Sequence, residues 1–147
     1  MALQLIFDEL ANDGRDGVFG TFTNPDTGSK WQACSIFPTV FPKAGGYEAN
    51  WMNHPIHGWC YEITVEGHTG VLIHHGNWAG NIGDGERSDF KGCIGLGKQR
   101  GPMIPPGLIQ SQEAIEGSNQ AVGEFEAEMK QAPFTLIVTF EWPGANS

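Results

Sequence analysis

Val71-Leu-Ile-His74-His75-Gly76-Asn77-Trp78, a Gly- and Asp-rich interval ending Arg87-Ser88-Asp89-Phe90-Lys91, and then Gly92-Cys93-Ile94-Gly95-Leu96-Gly97 make up the stretch on which the fold turns. An apolar run leads into two adjacent histidines, a polar loop follows, and a second short apolar segment carries a cysteine directly after a glycine. Short apolar runs bounded by turn residues read as strands. The stretch therefore predicts two neighbouring β-strands that present His and Cys at the same edge of a sheet. A thiol with an imidazole beside it is the minimum for nucleophilic catalysis, because the thiolate attacks and the imidazole takes its proton. Gly92, lacking a side chain, is expected to leave room for a substrate carbonyl to approach the backbone.

Outward from this stretch, composition sets the class. The chain has 147 residues, 39% of them apolar and 11% aromatic, enough to bury one core, and it reads as a single domain over 1–147. With 21 Gly and 9 Pro it is punctuated every few residues, which favours short strands and turns over long helices. Net charge is −9 with only 8 Lys+Arg. Phosphate backbones and anionic membranes demand clustered cations, so nucleic acid is excluded as a partner. The N-terminus lacks the basic and long apolar regions of a secretion signal, and no run approaches the ~20 apolar residues of a membrane-spanning helix. No membrane insertion is expected.

In chain order, Leu3–Leu10 and Val18–Thr23 flank the turn Asn12-Asp-Gly-Arg-Asp-Gly17 and read as a hairpin. Trp31–Phe37, Gly46–Trp51, Trp59–Val65 and Val71–His75 read as further strands, and Lys98–Gly107, with three prolines, as loop. Ser118–Lys130 is the one convincing helix: Ser118 is placed to cap it, and Val122, Phe125 and Met129 share a face. Phe134–Phe140 is the best strand in the sequence, and the residues after Trp142-Pro143-Gly144 are expected to fray. The expected fold is mainly β (α+β): a compact antiparallel domain, sandwich- or barrel-like, with one helix in the C-terminal half.

Ile73-His74-His75-Gly76-Asn77, Arg87-Ser88 and Gly92-Cys93-Ile94 together resemble an uncharacterised domain family of tailed phages and prophages, whose pattern is Ile-His-x-Gly-Asn, a polar loop with Arg-Ser, and Gly-Cys-Ile. Gly92-Cys93-Ile94 is more distantly similar to the end of the motif of L,D-transpeptidases, cysteine enzymes of the bacterial cell wall. Here Lys91 replaces the histidine before Gly-Cys, and Gly95 the following polar residue. The resemblance implies a bacteriophage virion or tail protein, located in the virion or the host cytoplasm. It also implies a cysteine-nucleophile hydrolase or transpeptidase acting on peptidoglycan stem peptides, with other phage structural proteins as further partners. The rival reading is a non-catalytic tail, baseplate or capsid-associated component.

The candidate residues carry distinct roles. Cys93 is the candidate nucleophile. His74 and His75, adjacent on a strand, point to opposite faces, so one of them meets Cys93; the family pattern selects His74, whereas adjacency to Gly76 selects His75. Asn77 is a candidate to orient the imidazole, the third-group role of a catalytic triad, or caps a turn. Arg87 and Ser88 are candidates for binding a substrate carboxylate, Gly92 for the close backbone approach, and Trp78 for lining a groove. Cys34 and Cys60, in apolar contexts, read as buried small hydrophobes. A zinc site drawing on His54, His57 or His68 with His74, His75 and Cys93 lacks HExxH or comparable spacing, so no metal and no cofactor is expected.

Overall fold

The computed structural model describes residues 1–145; Asn146 and Ser147, part of the expected frayed end, lie outside the described residues. Ten strands and one α-helix follow one another: β1 (Ala2–Leu10), β2 (Val18–Asn24), β3 (Ser29–Ser35), β4 (Gly45–His54), β5 (Gly58–Ile63), β6 (Leu72–Ile73), β7 (Gly95–Gly97), β8 (Gln99–Met103), β9 (Gln112–Glu116), α1 (Ser118–Met129) and β10 (Phe134–Phe140). Eight of them form one sheet in the order β6-β5-β4-β10-β1-β2-β3-β7. Its two edges meet. Ile73 bridges Ile94 in parallel, with the His74 N–H donating to the Ile94 carbonyl at 3.1 Å and the Ile94 N–H to the Leu72 carbonyl at 2.8 Å. The sheet thus curls into a nearly closed barrel, which leaves few unpaired edges. Among the described residues no helix is long and apolar enough to cross a membrane.

Alternation builds the interior. Along β10, Phe134, Leu136, Val138 and Phe140 are buried while Thr135, Ile137 and Thr139 are only partly so, the period-2 pattern of a strand with one inward face. Leu3, Leu5 and Phe7 of β1, Val18 and Phe22 of β2, and Tyr61 and Ile63 of β5 supply the same core. Helix α1 adds Ala121, Val122, Phe125 and Met129. The Phe125 ring packs among Phe22 (centroids 5.1 Å), Tyr61 (5.4 Å), Trp31 (5.8 Å) and Phe134 (5.9 Å), rings contributed by four different strands. A second cluster, of Ala11, Phe19, Cys34, Cys60, Leu72, Ala79, Phe90, Cys93 and Ile115, lies on the other face of the sheet. The 76–92 loop and β9 cover it.

The structure corrects the sequence reading in three places. β1 and β10 pair in parallel, Ala2 opposite Thr135 through Phe7 opposite Phe140, whereas the other strand pairs of the sheet are antiparallel. The Lys98–Gly107 loop contains β8, which pairs with β9 in a separate two-stranded ribbon with Pro102 opposite Glu113; such a ribbon is all edge, where proline is tolerated. Ser118 does not cap α1. Gly117, at φ 69°, precedes the helix without a side-chain cap, and the Ser118 hydroxyl instead accepts the Gly76 N–H at 3.1 Å.

Candidate functional site

The barrel's closing seam also sets the candidate site. Ile73 and Ile94 face the core from the two edges, so their neighbours Leu72, His74 and Cys93 alternate onto the opposite face. There Cys93 and His74 line one cleft of about 690 Å³ together with His54, His57, Glu62 and Gly70. Cys93 is 5% and His74 8% exposed. From β3, the Ser35 hydroxyl donates to the Cys93 carbonyl at 2.8 Å and fixes the backbone that carries the thiol.

The thiol is held rather than loose. Sγ accepts the Leu72 N–H at 3.4 Å, and its S–H donates to the Gly70 carbonyl at 3.3 Å. Burial pushes the Cys93 thiol above its ordinary value of 9.0, only partly offset by hydrogen bonds from the Leu72 and Lys91 backbone. The resting residue is a neutral thiol at pH 7. Burial also lowers His74 below its ordinary 6.5; the hydrogen bond to the His75 carbonyl opposes the shift, and the neighbouring His57 and His75 add to it. Nδ1 of His74 lies 2.8 Å from that carbonyl. A carbonyl only accepts, so Nδ1 carries the proton and Nε2 keeps a free lone pair. A neutral base therefore shares the cleft with a neutral acid.

Two histidines that the sequence placed in a connector complete this wall. The β4–β5 turn brings His57 onto His74, with the rings 4.5 Å apart and within 18° of parallel, and His54 5.1 Å from His57. His54 Nδ1 accepts the backbone N–H groups of Ile56 and His57, both at 3.2 Å, and so shapes the turn. Burial, with His54 and His75 nearby, lowers His57 too. The register supplies the missing signal: Tyr61 pairs with Ile73, so a His-x-x-His turn just before β5 must come back over the residue after β6. Glu62, paired with Leu72, adds a carboxylate that accepts the Gly70 N–H at 3.1 Å.

Other sequence-predicted residues lie elsewhere. His75 is exposed and lines a separate depression with Gly76, Asn77 and Ser118. Asn77 does not orient the imidazole; its amide donates to the Ile115 carbonyl at 2.8 Å and ties the loop to β9. Arg87 is paired with Asp89 at 2.9 Å and lies 5.5 Å over the Trp78 ring. Ser88 donates to the Phe90 carbonyl at 2.8 Å and faces a neighbouring depression. Trp78, 8% exposed, donates its indole N–H to the Met103 carbonyl at 3.3 Å, so it packs under β8 instead of lining a groove. These side chains build the loop. Asp89 shows the same: burial alone would raise it, but the N–H groups of Asn77 and Trp78 and the Arg87 guanidinium outweigh this and hold its carboxyl below the usual range.

Gly92 is demanded by the backbone itself. Its φ is 88°, and a Cβ there would meet Val40 Cγ1 at 2.5 Å. The left-handed backbone and the close packing of Val40 both require a glycine there. Among the described residues, no group of three or more His, Cys, Asp or Glu side chains is placed to hold a metal ion.

One expectation follows from the thiol's environment. Alkylation of Cys93 by iodoacetamide should run several-fold slower at pH 7.5 than that of a free cysteine of pKa about 8.5, with its rate climbing beyond pH 9. Peptide mapping separates it from Cys60, which burial pushes up to about 11. Rapid labelling already complete at pH 6 would show a resting thiolate and contradict the neutral pair.

Compared with known proteins, the chain matches no family model, no curated protein and no solved structure.

Proposed function

We propose that this chain is a phage-associated, cell-wall-directed cysteine enzyme of the L,D-transpeptidase or carboxypeptidase kind, acting on peptidoglycan stem peptides from the virion or within the host cytoplasm. The observation that carries the reading is that Cys93 and His74 line one cleft although 18 residues of chain lie between them. In this mechanism His74 Nε2 takes the thiol proton as Sγ bonds to the peptide carbonyl carbon, so charge develops only during attack. Backbone N–H groups around Gly92 and Cys93 steady the oxyanion. The imidazolium then returns its proton to the departing amine. Water or a second amine resolves the thioester, giving hydrolysis or transfer.

A second reading is favoured by the thiol's own bonds: a non-catalytic particle component in which Cys93 is a packing residue tied to Gly70 and Leu72. Lys91, standing where L,D-transpeptidases carry a histidine, suits it too. Incubating the purified chain and a Cys93→Ala variant with peptidoglycan fragments, followed by mass spectrometry, separates the two. The enzyme reading expects trimmed or cross-linked stem peptides from the unaltered chain alone; identical product profiles remove it for that substrate.

A further inference from the structure

His57 has no part in the chemistry proposed above, yet its ring is the nearest of the aromatic rings around His74. The two centroids lie 4.5 Å apart with the planes within 18°, and the Phe90 ring stands 5.1 Å from His74 at 39°. With Nδ1 tied to the His75 carbonyl at 2.8 Å, the His74 ring is fixed by one hydrogen bond and two flat neighbours. Phe90 is buried, whereas His57 is exposed on the β4–β5 turn. His54 holds it there: its Nδ1 accepts the N–H groups of both Ile56 and His57, each at 3.2 Å. A ring nitrogen accepts only when it carries no proton, so this turn needs His54 Nδ1 bare. Gly58, at φ 72°, then leads the chain into β5.

Charge couples the stacked rings. Two imidazolium ions 4.5 Å apart repel strongly, so the pair resists a second proton. Burial lowers both His74 and His57 below their ordinary 6.5. At His74 the hydrogen bond to the His75 carbonyl opposes the shift, while His57 and His75 add to it; at His57, His54 and His75 do so. Other charged or titratable groups reach the cleft from each side. β5 brings the Glu62 carboxylate, which accepts the Gly70 N–H. The loop brings Asp89, paired with Arg87, and the exposed Lys91. The closing seam brings the Cys93 thiol, which burial keeps neutral. The turn before β6 brings Thr69 and Gly70, which carry no charge, and His75 stands edge-on 6.4 Å from His74. Asp89 favours charge on His74, and the neighbouring imidazoles oppose it.

We propose that His57 is a positioning residue for His74: stacked on that ring, it sets the plane in which Nε2 lies and, by like-charge repulsion, keeps Nε2 free of a proton into mild acid. His57 touches no reacting atom in the mechanism above and acts through His74. Its role in turnover rests on the reading of His74 as the base, whereas the coupling of the two rings stands without it. Acid undoes the arrangement from two sides. A proton on His54 Nδ1 takes the acceptor from two N–H groups of the turn, and a second proton in the stack drives its rings apart.

The first test uses the whole chain, labelled at histidine, and no substrate. NMR titration gives the midpoints of His57 and His74 in the unaltered chain, of His74 in His57→Gln, and of His57 in His74→Gln. The two variant midpoints together should exceed the two unaltered ones together, and the excess is the coupling between the rings. Equality means independent titration and overturns the repulsion. With peptidoglycan fragments, His57→Ala should lower kcat several-fold with KM little changed, and His57→Phe, which restores a flat ring, should recover most of that loss. The acid limb of kcat/KM in His57→Gln should move up together with the His74 midpoint. If His57→Ala and His57→Phe turn over alike, or the limb stays where it is, His57 does not position the base. An unaltered chain without turnover removes the enzyme reading and with it this role in turnover, while the titrations still decide the coupling.

Discussion

His74→Gln should slow turnover of a stem-peptide substrate by about 10²–10⁴-fold, the range associated with loss of a positioned general base. The fold should survive, because a glutamine amide replaces the donor that His74 Nδ1 directs at the His75 carbonyl. Only the free lone pair is lost. The pH profile gives the sharper readout. His74 lies below its ordinary 6.5, so the acid limb of kcat/KM for the unaltered chain should fall below that value as the imidazole takes up a proton. The variant should have no such limb, leaving a rate that rises with thiol ionisation alone. A variant of unchanged rate and unchanged profile would show that His74 is not the base, and would leave the His74–His57 stack as packing.

Phe125→Ala should destabilise the chain by about 3–5 kcal/mol, the usual cost of emptying a buried aromatic site. The loss goes beyond one side chain's burial. Phe125 meets Phe22, Trp31 and Phe134 edge-on and Tyr61 at a tilt, and edge contacts of this kind add roughly 0.5–1.5 kcal/mol each beyond area. Rings anchored in strands cannot collapse readily into the void. A domain of this size shifts by about 2–4 °C per kcal/mol, so Tm should drop by roughly 10 °C. Calorimetry on the variant checks this. A shift of a degree or two would mean that α1 is anchored chiefly by Glu128, whose carboxylate accepts from Asn24, Thr27 and Ser29.

Much of this architecture was legible from local signals. Phe134–Phe140 and the helix from Ser118 occur as the alternation and the i, i+3, i+7 spacing predict, because both elements bury a single face. The parallel pairing of β1 with β10 was not legible, since 131 residues separate Ala2 from Phe134 and only tertiary packing sets their partnership. Proline and glycine also misled around β8, where punctuation marks an edge ribbon and not a loop. At the site, adjacency along a strand allowed one of His74 and His75 to face Cys93, and the structure puts His74 in that cleft. Asn77, Arg87, Ser88 and Trp78 are polar or aromatic residues in a Gly-rich loop, a profile common to binding sites and to self-supporting loops. Here their hydrogen bonds are spent within the loop and in tying it to β8 and β9. His54 and His57 were read as connector residues and weighed only for a zinc site, because their place on the cleft wall depends on strand register, which no short window of sequence contains.

The strand order has a consequence for how the molecule is made. β10, the last of the ten strands to leave the ribosome, is the plank between β4 and β1. Only with it in place are β6-β5-β4 and β1-β2-β3-β7 joined at that position, and contacts so remote in sequence form slowly.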